Sequence, residues 1–176
     1  STDVNAIRAR TFVKGYEWID CVFEATINMQ SNNGESWAGL GLILRGNDAT
    51  DDFINVRFNA PRKVVTIEVV RNLQFTTLGS FPFKAKFDHP YRMKVVTDRA
   101  GIYCYIDGQY VGHVVEKKIS QHPSGLVGFY AAAATGSFSD VSVKPALRSK
   151  SPFTVYAGNP LNIDAYSPTV ILNGDT

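Results

Sequence analysis

Two segments of the sequence constrain the fold more than any others. Residues 36–48 read SWAGLGLILRGND, a glycine-rich apolar run that stops at one charged residue, Arg45. Residues 103–112 read YCYIDGQYVG, in which two short strand patterns are joined by Asp107 and Gly108. Both of these residues tolerate the positive φ of a type I′ hairpin turn. Together the segments predict an all-β sandwich that offers polar and aromatic side chains to a ligand on one face, and they do not indicate a catalytic centre.

Patterns with a period of two residues recur along the chain, separated by clusters of Gly, Asn, Asp and Pro. In residues 21–29, small and apolar side chains alternate with mostly polar ones, as in a strand buried on one face. Further strands are predicted at residues 40–45, 54–58, 64–70, 74–78, 91–97, 102–106, 110–115, 126–131 and 136–143. Because no long helical periodicity is present, the sequence predicts an antiparallel β-sandwich or jelly roll.

Composition narrows the classes of partner. The chain has 176 residues, a formal net charge of +2 and 19% charged residues, so there is no strong field to attract nucleic acid or an anionic membrane. No apolar run reaches the roughly 18 residues that a membrane span needs, so no membrane-spanning segment is predicted. Cys21 and Cys104 each lie in an apolar strand pattern, which favours buried free thiols and leaves a disulfide as the alternative.

The sequence also suggests a division of the chain. Residues 1–146 carry the sandwich pattern, and the segment that follows is basic and interrupted by proline. We expect residues 147–176 to be a linker or a C-terminal extension. Within it, residues 169–172 either add a last strand or belong to a neighbouring domain.

Catalytic motifs are not found. The sequence has no Gly-x-Ser-x-Gly elbow, no His-Glu-x-x-His helix, no phosphate-binding glycine loop and no dinucleotide fingerprint. Its histidines, His89, His113 and His122, are dispersed. A non-catalytic protein is therefore predicted. A glycosidase remains the main alternative, because a carboxylate pair such as Glu24 and Glu68 is conceivable on a sheet face.

Candidate ligand-binding residues fall at strand ends and in loops. The Arg45 guanidinium offers paired hydrogen bonds to vicinal hydroxyls or a carboxylate, and a salt bridge at the sheet end is an equal alternative. Trp37 offers a flat ring to the apolar surface of a ligand, and nearby Glu35 offers a carboxylate to its hydroxyls; a tryptophan that only packs over the edge of the sandwich is an equal alternative. Asp48 lies in a loop with two further acids, Asp51 and Asp52, where solvated turn residues are the plainer interpretation.

Two groups of residues on strands complete the candidate set. Asn55 and Arg57 share one strand face, and Glu68 points the same way if the pleat is regular; such a stripe is more commonly the solvated side of a sheet. Tyr103 and Tyr105 also share a face, and Tyr130 joins them if its strand lies nearby. Aromatic packing between strands explains these three tyrosines equally well.

The order of the motifs resembles a known family. The matching segments are 19–25 (IDCVFEA), 38–45 (AGLGLILR), 53–57 (FINVR), 91–95 (YRMKV), 105–108 (YIDG), 125–128 (GLVG) and 138–141 (FSDV). They resemble the concanavalin A-like sandwich group, which includes laminin G-like domains. Within that group they resemble carbohydrate-binding module family 66, the fructan-binding modules attached to levanases and related secreted glycoside hydrolases.

This resemblance implies two antiparallel sheets, a secreted bacterial protein, and a catalytic domain in the same full-length chain. It implies levan or another fructan as the ligand, bound at terminal fructose units, and often a structural calcium ion. Asp140, next to the last predicted strand, is the candidate calcium ligand, with the capping of a turn as its alternative role. A concanavalin-like glycan hydrolase and a laminin G-like protein-interaction domain are the competing functions.

Overall fold

The computed structural model describes residues 8–99 and 101–146, and the backbone alone of Ser120 and of residues 170–172. Its strands are β1 (Arg8–Phe12), β2 (Cys21–Ser31), β3 (Gly39–Asn47), β4 (Asp52–Asn59), β5 (Val64–Arg71), β6 (Gln74–Pro82), β7 (Pro90–Asp98), β8 (Gly101–Ile106), β9 (Gln109–Val115), β10 (Leu126–Ala132), β11 (Thr135–Pro145) and β12 (Val170–Leu172). A four-residue helix, α1 (Lys117–Ser120), precedes β10.

The strands form two six-stranded sheets in which every neighbouring pair is antiparallel. The first sheet has the order β1-β10-β3-β4-β5-β6, and the second has the order β12-β11-β2-β7-β8-β9. The predicted antiparallel β-sandwich is thus confirmed. The described residues contain no helix with the length and hydropathy needed to cross a membrane.

The sequence patterns located most strands to within one or two residues, with two differences. Strand β6 continues four residues beyond the predicted segment 74–78, to Pro82. Strand β1 was not predicted, because its sequence RARTF is short and mostly polar. Such a sequence suits the edge strand that β1 forms beside β10. As shown below, this missed strand supplies a side chain to the candidate site.

The main core lies between the sheets and follows the alternation seen in the sequence. In β2 the side chains of Cys21, Phe23, Ala25, Ile27 and Met29 are buried, and the residues between them are half-buried. The two cysteines are both buried and both free. This arrangement matches the prediction of buried thiols and excludes a disulfide between them.

The first sheet is buried on both of its faces at its centre. In β4 every residue from Phe53 to Asn59 is buried, although only alternate side chains point toward the second sheet. The remaining side chains, including Asn55 and Arg57, lie on the outer face of the first sheet and are covered there. The polar stripe is therefore not the solvated side of a sheet, which was its plainer interpretation.

One strand falls within the proposed C-terminal extension. Residues Val170–Leu172 pair antiparallel with Val141–Val143 of β11, at the edge of the second sheet. The rest of residues 147–176 lies outside the described residues, so the boundary at 146 stays a prediction.

Candidate functional site

The strand register places the polar candidates side by side on the outer face of the first sheet. One row across the sheet contains Tyr130, Gly41, Arg57 and Thr66, on four successive strands. In the next row Asn55 lies opposite Glu68. Because side chains on one strand face repeat every second residue, Asn55 and Arg57 point the same way. Thus four predicted residues, Asn55, Arg57, Glu68 and Tyr130, form one cluster.

Gly41 lies at the centre of this cluster and makes room for the side chain of Asn55. A Cβ atom at residue 41 would lie 2.5 Å from Asn55 Oδ1 and 2.9 Å from the Val56 carbonyl oxygen, both too close for a side chain. Strands are spaced by about 4.8 Å, so the backbones of Tyr130 and Arg57, two strands apart, are separated by roughly 10 Å. The glycine therefore lets polar side chains from the neighbouring strands come together over its backbone.

A buried ion pair lies within this cluster. Arg57 Nη2 donates to Glu68 Oε1 at 2.9 Å, and Asn55 Nδ2 donates to Glu68 Oε2 at 3.2 Å. Arg57 Nη1 also donates to the Trp37 carbonyl oxygen at 3.3 Å. Glu68 is only 3% exposed. Loss of either partner would leave an uncompensated buried charge, so Arg57 and Glu68 depend on each other.

Several buried polar atoms of the cluster have no hydrogen-bond partner among the described residues. On this face they include Asn55 Oδ1, Arg57 Nε, Thr66 Oγ1 and Tyr130 Oη. Burial also raises the pKa of Tyr130, so its hydroxyl keeps its proton at neutral pH. An unpaired buried polar group costs about 1–3 kcal/mol, and several such groups together require an explanation. A polar ligand bound on this face would pair with them.

Aromatic side chains close the face from above. The Phe75 ring, from β6, lies 5.9 Å from the Tyr130 ring of β10, measured between centroids. The guanidinium of Arg8, from β1, lies 4.6 Å from the Phe75 centroid and 5.6 Å from that of Trp37. Strands β1 and β6 are opposite edges of the first sheet. Side chains from the two edges therefore meet over a concave outer face, and we call Arg8, Trp37 and Phe75 the cover of the site.

Arg45, in contrast, lies away from this face and is held by internal partners. It is 3% exposed, and its Nη2 donates to Asp20 Oδ1 at 3.0 Å. Its other donors reach the carbonyl oxygens of Ile19, Ile119 and His122 at 2.9, 3.3 and 3.1 Å. This geometry matches the salt-bridge alternative that the sequence left open.

Two acidic candidates, Asp48 and Glu35, lie in loops between strands. Asp48 forms an ion pair with Lys14. The backbone N–H of Glu35 donates to the Asn32 carbonyl oxygen at 2.8 Å, which closes the turn after β2. The structure gives neither carboxylate a contact with the cluster around Arg57.

Tyr103 and Tyr105 lie on the outer face of the second sheet. Tyr130 lies in the first sheet, so the three tyrosines do not form one group. The Tyr103 ring stacks on His113 with centroids 5.2 Å apart. Lys94 Nζ lies 5.0 Å from the Tyr105 centroid. This is the aromatic packing between strands that was the alternative explanation for the two residues.

Asp140 lies in an irregular part of β11. Its φ is 49°, and its carbonyl oxygen accepts a hydrogen bond from Arg92. No group of three or more His, Cys, Asp or Glu side chains that could hold a metal occurs among the described residues. The calcium site stays a prediction that the structure does not test.

The carboxylates imagined for a glycosidase are on different sheets. Glu24 is on the outer face of the second sheet, where it pairs with Arg92 at 3.0 Å, and Glu68 is on the outer face of the first. Two carboxylates on opposite outsides of a sandwich cannot flank one glycosidic bond.

Sequence reasoning missed three members of the site, Arg8, Thr66 and Phe75. Thr66 could have been found, since it shares the strand face of Glu68 in β5. Arg8 and Phe75 could not, because only the curvature of the sheet brings its two edges together.

Comparison with known proteins supports the fold. No protein-family model matches the chain, and no curated protein matches it. Among solved structures, the carbohydrate-binding module CBM66 from Bacillus subtilis superimposes with a TM-score of 0.68 and 16% identity, over 76% of this chain and 81% of that one. A Bacillus subtilis protein of unknown function with a galectin-like fold gives a TM-score of 0.60 and 15% identity, over 80% and 79%.

Galectins also share the fold. Sheep galectin-11, solved in complex with glycerol, gives a TM-score of 0.54 and 7% identity, over 77% of this chain and 96% of the galectin. At these identities the likeness shows a common sandwich fold, as the sequence resemblance implied.

Proposed function

We propose that this protein is a non-catalytic carbohydrate-binding module that binds sugar on the outer face of its first sheet. One observation supports this most: Asn55, Arg57, Thr66 and Tyr130, in two neighbouring rows of the outer face, each have a buried polar atom without a hydrogen-bond partner among the described residues. A sugar offers hydroxyls that both donate and accept, together with a C–H surface that packs on aromatic rings. Structural neighbours whose names denote carbohydrate-binding or galectin domains agree with this function.

The proposed ligand is fructan, with terminal fructose units of levan preferred. A face with a cover of three side chains suits the end of a chain better than its middle, because an internal unit would need two open sides. We further propose that the module directs a secreted glycoside hydrolase, present in the same full-length chain, to this polysaccharide. The sequence resemblance to fructan-binding modules supports both statements.

A non-catalytic role is consistent with the state of Glu68. Both oxygens of its carboxylate already accept hydrogen bonds, from Arg57 and Asn55. The carboxylate pair imagined for a glycosidase also lacks its partner here, because Glu24 pairs with Arg92 on the outer face of the other sheet. In the proposed function Glu68 instead holds Arg57 and Asn55 in position for the ligand.

Tyr130→Phe is the sharpest test, because it removes only the unpaired hydroxyl. We expect calorimetry with levan to show an affinity lower by about 3- to 10-fold, the equivalent of one neutral hydrogen bond. The same variant should be at least as stable as the parent, since it no longer buries an unpaired group. Tyr105→Phe, on the second sheet, is the matched control and should bind levan normally.

The ligand panel should include levan, inulin, fructose and unrelated glycans. If Tyr130→Phe binds levan with the affinity of the parent, the Tyr130 hydroxyl does not contact the ligand. Absence of binding to every glycan in the panel would overturn the proposed function. If the pure protein releases sugar from levan, the competing hydrolase function is correct.

A further inference from the structure

Among the described residues, the candidate site has one more positive charge than its carboxylates neutralise. Three arginines, Arg8, Arg10 and Arg57, lie on or beside it. Arg57 pairs with Glu68, and Arg10 Nε donates to Asp51 at 2.8 Å. Within residues 8–99 and 101–146, no acidic side chain forms an ion pair with Arg8. This part of the chain thus supplies no acidic partner for Arg8.

The stacking of Arg8 leaves its hydrogen-bond donors available. The ring of Phe75 and that of Trp37 lie at 4.6 and 5.6 Å from the guanidinium carbon. An aromatic ring contacts the face of a guanidinium, whose N–H groups project from its edge. Arg8 Nε is buried and has no hydrogen-bond partner among the described residues. The rings therefore hold the Arg8 guanidinium in place without accepting a hydrogen bond from its Nε–H group.

The unpaired atoms of the whole site are biased toward donors. Arg8 Nε and Arg57 Nε can only donate, and the hydroxyls of Thr66 and Tyr130 can donate as well. Asn55 Oδ1 is an acceptor. A site that is rich in donors, carries an uncompensated positive charge and is shielded from water favours a ligand rich in acceptors and negative in charge.

We propose that Arg8 forms an anion-binding subsite, so that the site prefers a glycan with a carboxylate or another acidic group beside the bound sugar over the neutral glycan of the same backbone. This inference rests on the proposed function, because it places the acidic group next to a sugar held by Arg57 and Tyr130. It extends that function from neutral chain ends to acidic ones.

Inulin and levan, each with and without partial oxidation of their primary hydroxyls to carboxylates, provide matched ligands for the test. We expect calorimetry at low salt to give an affinity on the order of tenfold higher for the oxidised form, as for a charge-assisted hydrogen bond. Arg8→Gln should abolish this preference, and Arg8→Lys should keep part of it, because lysine keeps the charge without the planar donors.

A control separates a specific subsite from general attraction to a cationic protein. Lys94→Gln makes the same change of charge on the second sheet, and it should preserve the preference for the oxidised glycan. If Lys94→Gln and Arg8→Gln reduce the preference equally, the attraction is non-specific and the subsite is overturned. Circular dichroism of Arg8→Gln and the midpoint of its urea denaturation establish that the variant is folded.

The remaining outcomes distinguish this inference from the function on which it rests. Equal affinity of the parent for oxidised and neutral fructan overturns the subsite and leaves the carbohydrate-binding function standing. Binding of oxidised fructan alone, with loss in Arg8→Gln, supports the subsite and overturns the proposed preference for neutral chain ends. Failure of both forms to bind overturns the fructan ligand and the subsite together.

Discussion

Arg45 shows how a single side chain can hold distant segments of a sandwich together. Its guanidinium joins the end of β3 to the segment before β2 and to the segment around α1, through Asp20 and three carbonyl oxygens. Burial lowers the pKa of Arg45, an effect that Asp20 opposes. The residue stays charged because an arginine pKa starts far above neutrality.

We therefore predict that Arg45→Met strongly destabilises the protein. Removing one member of a buried ion pair typically costs about 3–5 kcal/mol, and here three carbonyl oxygens also lose their donor. Urea denaturation followed by tryptophan fluorescence measures the loss. Arg10→Met, which breaks a more exposed ion pair with Asp51, is the control and should cost about 1 kcal/mol or less.

The same variant also separates the two roles that the sequence left open for Arg45. If the residue is structural, the folded fraction of Arg45→Met binds levan normally. A variant that unfolds like the parent and has lost its affinity for levan would return Arg45 to the binding site.

At the scale of elements, two of the two-residue hairpins use different residues for the same turn. Asp107 and Gly108 connect β8 to β9 with φ values of 50° and 77°. Asn72 and Leu73 connect β5 to β6 with φ values of 46° and 63°. Both turns need two residues with positive φ, as a type I′ turn does. Glycine adopts this conformation freely, and leucine does so only with strain.

We predict that Leu73→Gly stabilises the protein by about 1 kcal/mol, because it relieves this strain. Leu73 is 44% exposed, so its removal forfeits part of a leucine's burial, and we expect the relief of strain to exceed that loss. The midpoint of urea denaturation should rise. The reverse change at the other turn, Gly108→Leu, should lower the midpoint by a similar amount. A lower midpoint for Leu73→Gly would show that the leucine side chain contributes more by packing than its backbone loses by strain.

At the scale of the whole molecule, the two buried thiols make stability depend on pH in the alkaline range. Burial raises the pKa of Cys21 to about 11 and that of Cys104 to about 12. An unfolded chain releases these protons near its ordinary thiol pKa of about 8.5, and the folded protein retains them. The folded state then binds more protons than the unfolded state, so its stability falls as pH rises.

We predict that the free energy of unfolding decreases from about pH 9 upward, by roughly 1.4 kcal/mol per pH unit for each cysteine. Urea denaturation at pH 8, 9.5 and 10.5 measures this slope. Cys104→Ala should be less stable at pH 8 because it leaves a cavity, and it should show a shallower slope above pH 9. An identical slope in the variant would assign the pH dependence to other groups, such as the tyrosines.

The sequence by itself determined most of the elements of this fold. Alternation in residues 21–29 placed β2 and its buried face, and Asp107 and Gly108 placed a hairpin turn, because both signals are local. The sequence also selected Asn55, Arg57, Glu68 and Tyr130 as polar residues in strands. It could not separate them from a solvated stripe, since burial depends on what lies over a face.

Only the tertiary structure decided which candidates share a site. Because of the order of strands, Tyr130 lies in the first sheet and Tyr103 in the second, although both occur in similar strand patterns. The register places Tyr130 beside Gly41, and Gly41 beside Arg57. The curvature of the first sheet brings Arg8, at one edge, into contact with Phe75 at the other. These contacts join residues far apart in the chain. Their geometry is set by the packing and twist of two whole sheets, which no local pattern of residues encodes.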